Sequence, residues 1–192
     1  MTQICMVRHG QTDWNLVGKL QGQTDIPLNE TGKRQARECR DFLQHHQWDA
    51  LVTTSLLRAR ETAEIINEAL GLNIVECDQF KERSFGLGEG MLREDRMRDY
   101  PDFIFPEMET YEDLVARIGE GLAFIQTHFP GQKVLIVAHG AVISSVLKQF
   151  HGNEVGDGHV KLFNGCFTDI HYEGGSWMVR KYNQVSHLSE HA

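Results

Sequence analysis

The run Lys133-Val134-Leu135-Ile136-Val137-Ala138 limits the fold more than any other stretch. Side chains of a strand alternate between the two faces of a sheet, and here both alternating sets are apolar. A strand of this kind needs cover on both faces, as a central strand of a parallel sheet has. The surrounding pattern supplies the cover. Residues 3–7 read as a first short strand. Asn29 can cap a helix from Glu30 to about His46, with Ala36, Cys39 and Leu43 on one face. Residues 49–54 read as a second strand. Ser55 can cap a helix whose apolar positions Ala59, Ala63, Ile66 and Leu70 recur at helical spacing before Gly71 stops it. Residues 73–77 read as a third strand. Leu114, Ile118, Leu122, Ile125 and Phe129 mark another helix, ended by Pro130-Gly131. Val142, Ile143, Val146, Leu147 and Phe150 mark one more, and Gly174-Gly175 between two strand-like runs signals a hairpin. Strands alternating with helices predict an α/β fold, a three-layer α/β/α sandwich with a mostly parallel central sheet. One domain is expected over 1–192, with an excursion over the sheet at about 78–110 that holds a charged helical piece at 91–100. The last few residues are expected to be loose.

Charge narrows the partners. The net charge is −8, which disfavours nucleic acid and anionic membrane surfaces, since both reward clustered Lys and Arg. No apolar run approaches the roughly 20 residues of a membrane span. No secretory signal is read at the start, and the four cysteines lack any CxxC spacing. These features predict a cytoplasmic protein with reduced thiols. The ten histidines form no HxxxH or HxxEH set, so neither a metal site nor a cofactor is expected. Gly86 to Gly90 does not follow a first strand and is no dinucleotide fingerprint.

In open α/β sheets ligands bind beyond the carboxyl ends of the strands. The first strand ends in Arg8-His9-Gly10, the second is followed by Arg58, and the 133–138 strand ends in His139-Gly140. Each residue alone is an ordinary polar group at a loop boundary. Together, two arginines and two histidines at one sheet edge make a pocket for a small dianion. The glycines after both histidines let backbone come close to a ligand, and the helix start after His139 adds a favourable dipole.

The same residues carry a family resemblance. "VRHGQTDWN" resembles the RHGxTxxN signature of the histidine phosphatase superfamily, the phosphoglycerate mutase-like proteins. "LQGQTDIPLNETGKRQA", "TTSLLRARETA" (with Leu56 where proline is usual), "FKERSFGLGEG", "VLIVAHGAVI" and "FNGCFTDIHY" are similar to the family's later segments, in the family's order. The resemblance implies a phosphoglycerate mutase-like fold. It implies that His9 attacks phosphorus and becomes phosphohistidine, that Arg8, Arg58 and His139 hold phosphoryl oxygens, and that Asn15 bonds the same group. Glu82 would donate and accept the proton. Gly10, Gln21, Gly22, Arg83, Ser84, Phe85, Gly140 and Ala141 would line the pocket or touch substrate.

The chemistry is consistent with these roles. A histidine attacks only through a free nitrogen lone pair, so the other ring nitrogen of His9 should donate to a backbone carbonyl. Two arginines and a cationic or donating His139 would meet the charge on the transferred group. The implied activity is a metal-independent phosphatase of small phosphomonoesters. A cofactor-dependent phosphoglycerate mutase or a sugar bisphosphatase is the alternative, since one site serves both reactions. Mutases of this family usually carry a longer, more basic cover after the "EG" of the fourth segment. Here the cover is short and of mixed charge, with Arg93, Arg96 and Arg98 beside Glu94, Asp95 and Asp99. That favours the phosphatase. A weak binder of phosphorylated ligands is disfavoured because Arg8, His9, Arg58, Glu82 and His139 are all present. The expected partner is a small phosphorylated metabolite, and a homo-oligomer is left open.

Overall fold

In a computed structural model, residues 1–151 and 161–191 are described. The elements run β1 (Thr2–Arg8), α1 (Asp13–Leu16), α2 (Glu30–Leu43), β2 (Ala50–Thr53), α3 (Leu57–Leu70), β3 (Ile74–Glu76), α4 (Arg93–Asp99), α5 (Tyr111–His128), β4 (Lys133–Ala138), α6 (Gly140–Phe150), β5 (Phe167–Glu173) and β6 (Ser176–Gln184). The six strands form one sheet in the order β3-β2-β4-β1-β5-β6. The strands from β3 to β1 pair in parallel, and β5 and β6 add antiparallel pairs at one side.

β4 lies in the middle, with every side chain from Val134 to Ala138 fully buried, so both of its faces are covered. Val134, Ile136 and Ala138 join Ile4, Met6, Leu114, Ile118, Val142 and Val146 in one core, which seats α5 and α6. Leu135 and Val137 join Cys5, Val7, Cys39, Ala59, Ala63 and Ile66 in the other, which seats α2 and α3. The result is the expected three layers. Each fully buried aliphatic side chain here contributes roughly 1.5–3 kcal/mol, so the two faces of β4 hold both outer layers to the sheet. All four cysteines are free and buried. Among the described residues no helix is long and apolar enough to cross a membrane.

Several local expectations hold, and three change. Asn29 caps α2 through Gly32 N–H at 2.9 Å. Gly71 ends α3 in the left-handed conformation. Gly174 and Gly175 both have positive φ, as a two-residue hairpin turn with the right twist requires. However, α2 stops at Leu43, not near His46, because the Leu43 carbonyl accepts from the Trp48 indole N–H (3.1 Å) and from His46 N–H (3.0 Å) in a tightened turn. Ser55 does not cap α3. Its N–H and hydroxyl both turn to Asp78, and Asp25 from a distant loop accepts the Leu57 N–H at 2.7 Å. The chain end is not loose up to residue 190. Leu188 is fully buried, His187 stacks on Phe167 at 3.8 Å, and Ser189 and Glu190 bond to Glu38 and Gln35 of α2.

The chain leaves β1 for α2 on one face and leaves the neighbouring β4 for α6 on the other. The loops after these two strands therefore part and open a crevice, the usual ligand position in such sheets. The α2 start is pressed against the loop after β1. Gln35 Oε1 accepts the Gln11 N–H at 2.8 Å and Gln11 O accepts the Asn29 N–H at 3.0 Å. A Cβ on Gly32 would stand 2.1 Å from Gln11 O, and one on Gly10 would stand 2.4 Å from Gly32 O. Backbone atoms cannot step aside as a flexible side chain can. Gly32→Ala should therefore cost about 3 kcal/mol in denaturant unfolding. A change below about 0.5 kcal/mol would show that the loop is not held by this contact.

Candidate active site

The parallel pairing of β1 and β4 sets Arg8 opposite Ala138. The residues one step further, His9 and His139, are thereby side by side, with ring centroids 5.3 Å apart. His9 is 2% exposed and His139 fully buried. The His9 Nδ1 stands 2.7 Å from the Gly10 carbonyl. A carbonyl only accepts, so Nδ1 carries the hydrogen and Nε2 keeps its lone pair. Burial, then Arg58, then Arg8 hold the His9 pKa well below its ordinary value. Burial, Arg58, His9 and Arg8 do the same to His139, in that order. These causes favour the neutral form of His139, so of the two roles expected for it, cation or donor, they support the donor. The His139 Nε2 bonds Thr54 Oγ1 at 2.9 Å, and its Nδ1 is buried with no hydrogen-bond partner among the described residues.

Arg8 and Arg58 complete the cluster. Arg8 donates to the Leu162 carbonyl. Arg58, 1% exposed, donates to the carbonyls of Gly22 (2.6 Å) and Thr24 (3.0 Å). Burial pulls both guanidinium groups down from their usual pKa, while Glu82 pushes both up. Among the described residues neither makes an ion pair with a carboxylate within 4 Å. The Nε of each is buried without a partner among the described residues.

The excursion brings Glu82 to the same edge. Its Oε1 accepts the N–H groups of Ala141 and Arg83, both at 3.0 Å. Its carbonyl is held by Gln23 Nε2 (3.0 Å) and Arg117 (3.1 Å), and Arg117 in turn is doubly bonded to the Glu109 carboxylate. Arg8, His9, Asn15, Gln21, Gly22, Arg58, Glu82, Phe85 and Ala141 all line one cavity of about 260 Å³.

Other expected residues are placed differently. Asn15 is the third residue of α1, and its Oδ1 accepts from Thr12 N–H and Asn164 Nδ2. The Gly10 N–H is spent on Thr62 Oγ1 at 3.1 Å, so this glycine serves backbone packing and the His9 tautomer, and its N–H is not offered to a ligand. Gly140 begins α6, close enough to the site that a Cβ on it would touch Arg8 Nε at 3.5 Å and Glu82 Oε2 at 3.7 Å. Arg83 faces an adjoining cavity. The Ser84 N–H goes to Glu109.

Two functional contributions escaped the sequence reading. Arg96 of α4 lines the cavity and braces the opposite loop through the Gly18 and Met91 carbonyls. Nothing in a mixed-charge helix singles it out. Glu89 accepts from the N–H groups of Gln23, Thr24 and Phe85 at 2.9–3.0 Å, and from the Thr24 hydroxyl. It therefore fixes the loop whose carbonyls hold Arg58. Gly22 has φ +55°, and a Cβ there would strike Glu89 Oε1 at 2.0 Å. Among the described residues no group of His, Cys, Asp and Glu is arranged to hold a metal ion.

Residues 4–185 match the histidine phosphatase superfamily, branch 1. The chain belongs to that superfamily. The uncharacterized phosphatase PhoE of Bacillus subtilis is 51% identical over 189 residues, 98% of each chain. The structure of YhfR from Bacillus stearothermophilus superposes with a TM-score of 0.90 at 26% identity, over 98% of this chain and 100% of that one. A phosphoserine phosphatase mutant of Entamoeba histolytica, solved with phosphoserine, superposes with a TM-score of 0.85 at 26% identity, over 98% and 100%. The fold is the phosphoglycerate mutase-like one, and the protein is a phosphatase of this superfamily, a hydrolase of phosphomonoesters.

The neutral histidines tie stability to pH. An unfolded histidine takes up its proton near pH 6.5, about where free imidazole does. Folded His9 and His139 take theirs only at lower pH. Below about pH 6.5 the unfolded chain thus binds more protons, and stability falls as pH falls, by about 1.4 kcal/mol per pH unit for each histidine. Unfolding free energy should drop between about pH 7 and pH 5, and His9→Asn should remove about half of the pair's slope. A slope unchanged in His9→Asn would mean that His9 is protonated in the folded protein.

Proposed function

We propose that the protein is a metal-independent phosphatase of small phosphomonoesters, working through a phosphohistidine on His9. The observation that carries the reading is a buried pair of arginines with no carboxylate bonded to them among the described residues, set around a histidine whose Nε2 keeps its lone pair. Buried charges are almost always paired. A phosphoryl dianion supplies the missing charge, and guanidinium groups match its oxygens.

The geometry supports the following steps. Arg8 and Arg58 hold the equatorial phosphoryl oxygens. The incoming dianion offsets the arginines' push on His139, so His139 can add a hydrogen bond to the same group. His9 Nε2 attacks phosphorus in line as the P–O bond to the alcohol breaks. Glu82 gives the leaving oxygen its proton. It then takes a proton from water, which attacks the phosphohistidine and releases inorganic phosphate. The Gly10 carbonyl keeps the His9 ring in the attacking tautomer throughout. Asn15, Gln21, Gly22, Phe85 and Ala141 form the surrounding wall, and Ala141 N–H steadies the Glu82 carboxyl. The phosphoserine held by the Entamoeba neighbour illustrates the size of substrate such a site takes.

An aryl phosphate assay in excess EDTA tests this. Phosphate release should persist undiminished, and Arg58→Ala should lower kcat/KM by about 10²–10³-fold, the order for loss of one charge-stabilising donor. Activity that EDTA abolishes and a divalent metal restores would refute the metal-independent reading. Isomerised phosphoglycerate, formed only with a bisphosphate primer and without phosphate release, would assign the mutase reaction instead.

A further inference from the structure

Beyond Ala141 lies a second cavity of about 280 Å³. It shares Phe85 and Ala141 with the catalytic cavity, so the two meet along a common wall. Its surface is mixed, with Tyr111, Ser144 and Ser145 adding hydroxyl groups. Phe85, Phe103, Leu114 and Leu147 give apolar cover, with Phe85 and Phe103 packed edge to face at 5.7 Å. Arg83 and Lys148 add two cations.

Among the described residues neither cation is neutralised by a salt bridge. Among the described residues no carboxylate stands within 4 Å of the Lys148 ammonium or the Arg83 guanidinium. The Lys148 ammonium sits over the Tyr111 ring, 4.7 Å from its centre. Arg83 is steadied by two bonds to the Glu109 carbonyl, and the Glu109 carboxylate itself is committed to Arg117. Glu109 first, then Glu112 and Glu82, act on Arg83 from beyond 4 Å. Two aimed cations on an apolar cavity, in a chain of net charge −8, form a local exception to the protein's field.

We propose that this cavity receives the alcohol part of the phosphomonoester, and that Arg83 and Lys148 select alcohols carrying a second anionic group on an apolar body. The proposal rests on the phosphatase reading above and adds the substrate class. The phosphoryl group occupies the Arg8–Arg58 end, and the leaving oxygen lies by Glu82. The rest of the molecule then runs past Ala141 along α6. Lys148 follows Ala141 by seven residues, roughly 10 Å along the helix axis. The alcohol that reaches it is ring-sized, and the Phe85–Phe103 wall suits a flat body. The distal anion is a carboxylate or a phosphate, and a guanidinium and an ammonium accept either.

Four phenyl phosphates test this, para-substituted with ethyl, 2-carboxyethyl, 2-phosphonoethyl or 2-aminoethyl groups. The two-carbon spacer keeps the leaving-group acidities close. The protein should prefer at least one anionic ester over the ethyl ester by roughly five- to tenfold in kcat/KM, the range for one or two partly exposed ion pairs. It should disfavour the ammonium ester. The carboxylate and phosphonate arms show which anion fits. Lys148→Ala should bring the anionic-to-neutral ratio toward one, Lys148→Glu should invert the order of anionic and ammonium esters, and Lys148→Arg should keep the parent ratio. Lys148 is exposed, so these variants should fold. Hydrolysis of all four esters at equal kcat/KM, or a ratio that Lys148→Glu leaves unchanged, would overturn this proposal alone. Failure to cleave any of the four would overturn the phosphatase reading, and this proposal with it.

Discussion

The register of β1 on β4 is the constraint on which the site depends. Pairing Arg8 with Ala138 delivers two histidines and an arginine to one crevice without any special loop. A slip of one residue would turn the alternate faces of β1 over and set core residues against the wrong layer. The two-sided burial of β4 makes such a slip costly. The same apolar packing that stabilises the sandwich therefore fixes the site. It also removes water from the His9–His139 pair, and this keeps both rings neutral beside two arginines.

The remaining groups come from loops and are tied down by charged side chains that do not face the reaction. Glu89 holds the 22–24 segment, whose carbonyls hold Arg58. Arg117, paired with Glu109, holds the carbonyls of Gln79, Lys81 and Glu82. Each clamp joins segments far apart in sequence through charge-assisted bonds, which are stronger than neutral ones. Rings of the excursion pack on one another, with Phe103–Phe105 at 5.1 Å and Tyr100–Phe105 at 5.0 Å. The cover of the site is thus a packed piece of the fold, and Arg83, Phe85 and Arg96 are placed by it.

Much of this was legible in the chain. The apolar run 133–138 announced a central strand, and polar residues directly after two strands marked one sheet edge. Helical spacing found α2, α3, α5 and α6. What stayed hidden depends on long-range partners. Ser55 has the right chemistry for a cap, yet Asp78 captures it and Asp25 takes over the helix start. Gly10 reads as room for a ligand, but the close backbone of Gly32 is its reason. Glu89, Arg96, Arg117 and Lys148 are charges among many charges in the sequence, and only the folded neighbourhood distinguishes them. The tautomer of His9 follows from one carbonyl distance that no spacing encodes.

The central claim is that the Nε2 lone pair of His9 is the nucleophile. Rapid acid-free quenching of the protein with a phosphomonoester labelled on phosphorus tests it most directly, followed by peptide mapping. A stoichiometric, base-stable and acid-labile label should appear on His9. Glu82→Gln should prolong the label's lifetime, because water then lacks its base. Turnover by a His9→Ala protein at the parent rate, or a label on any other residue, would contradict it.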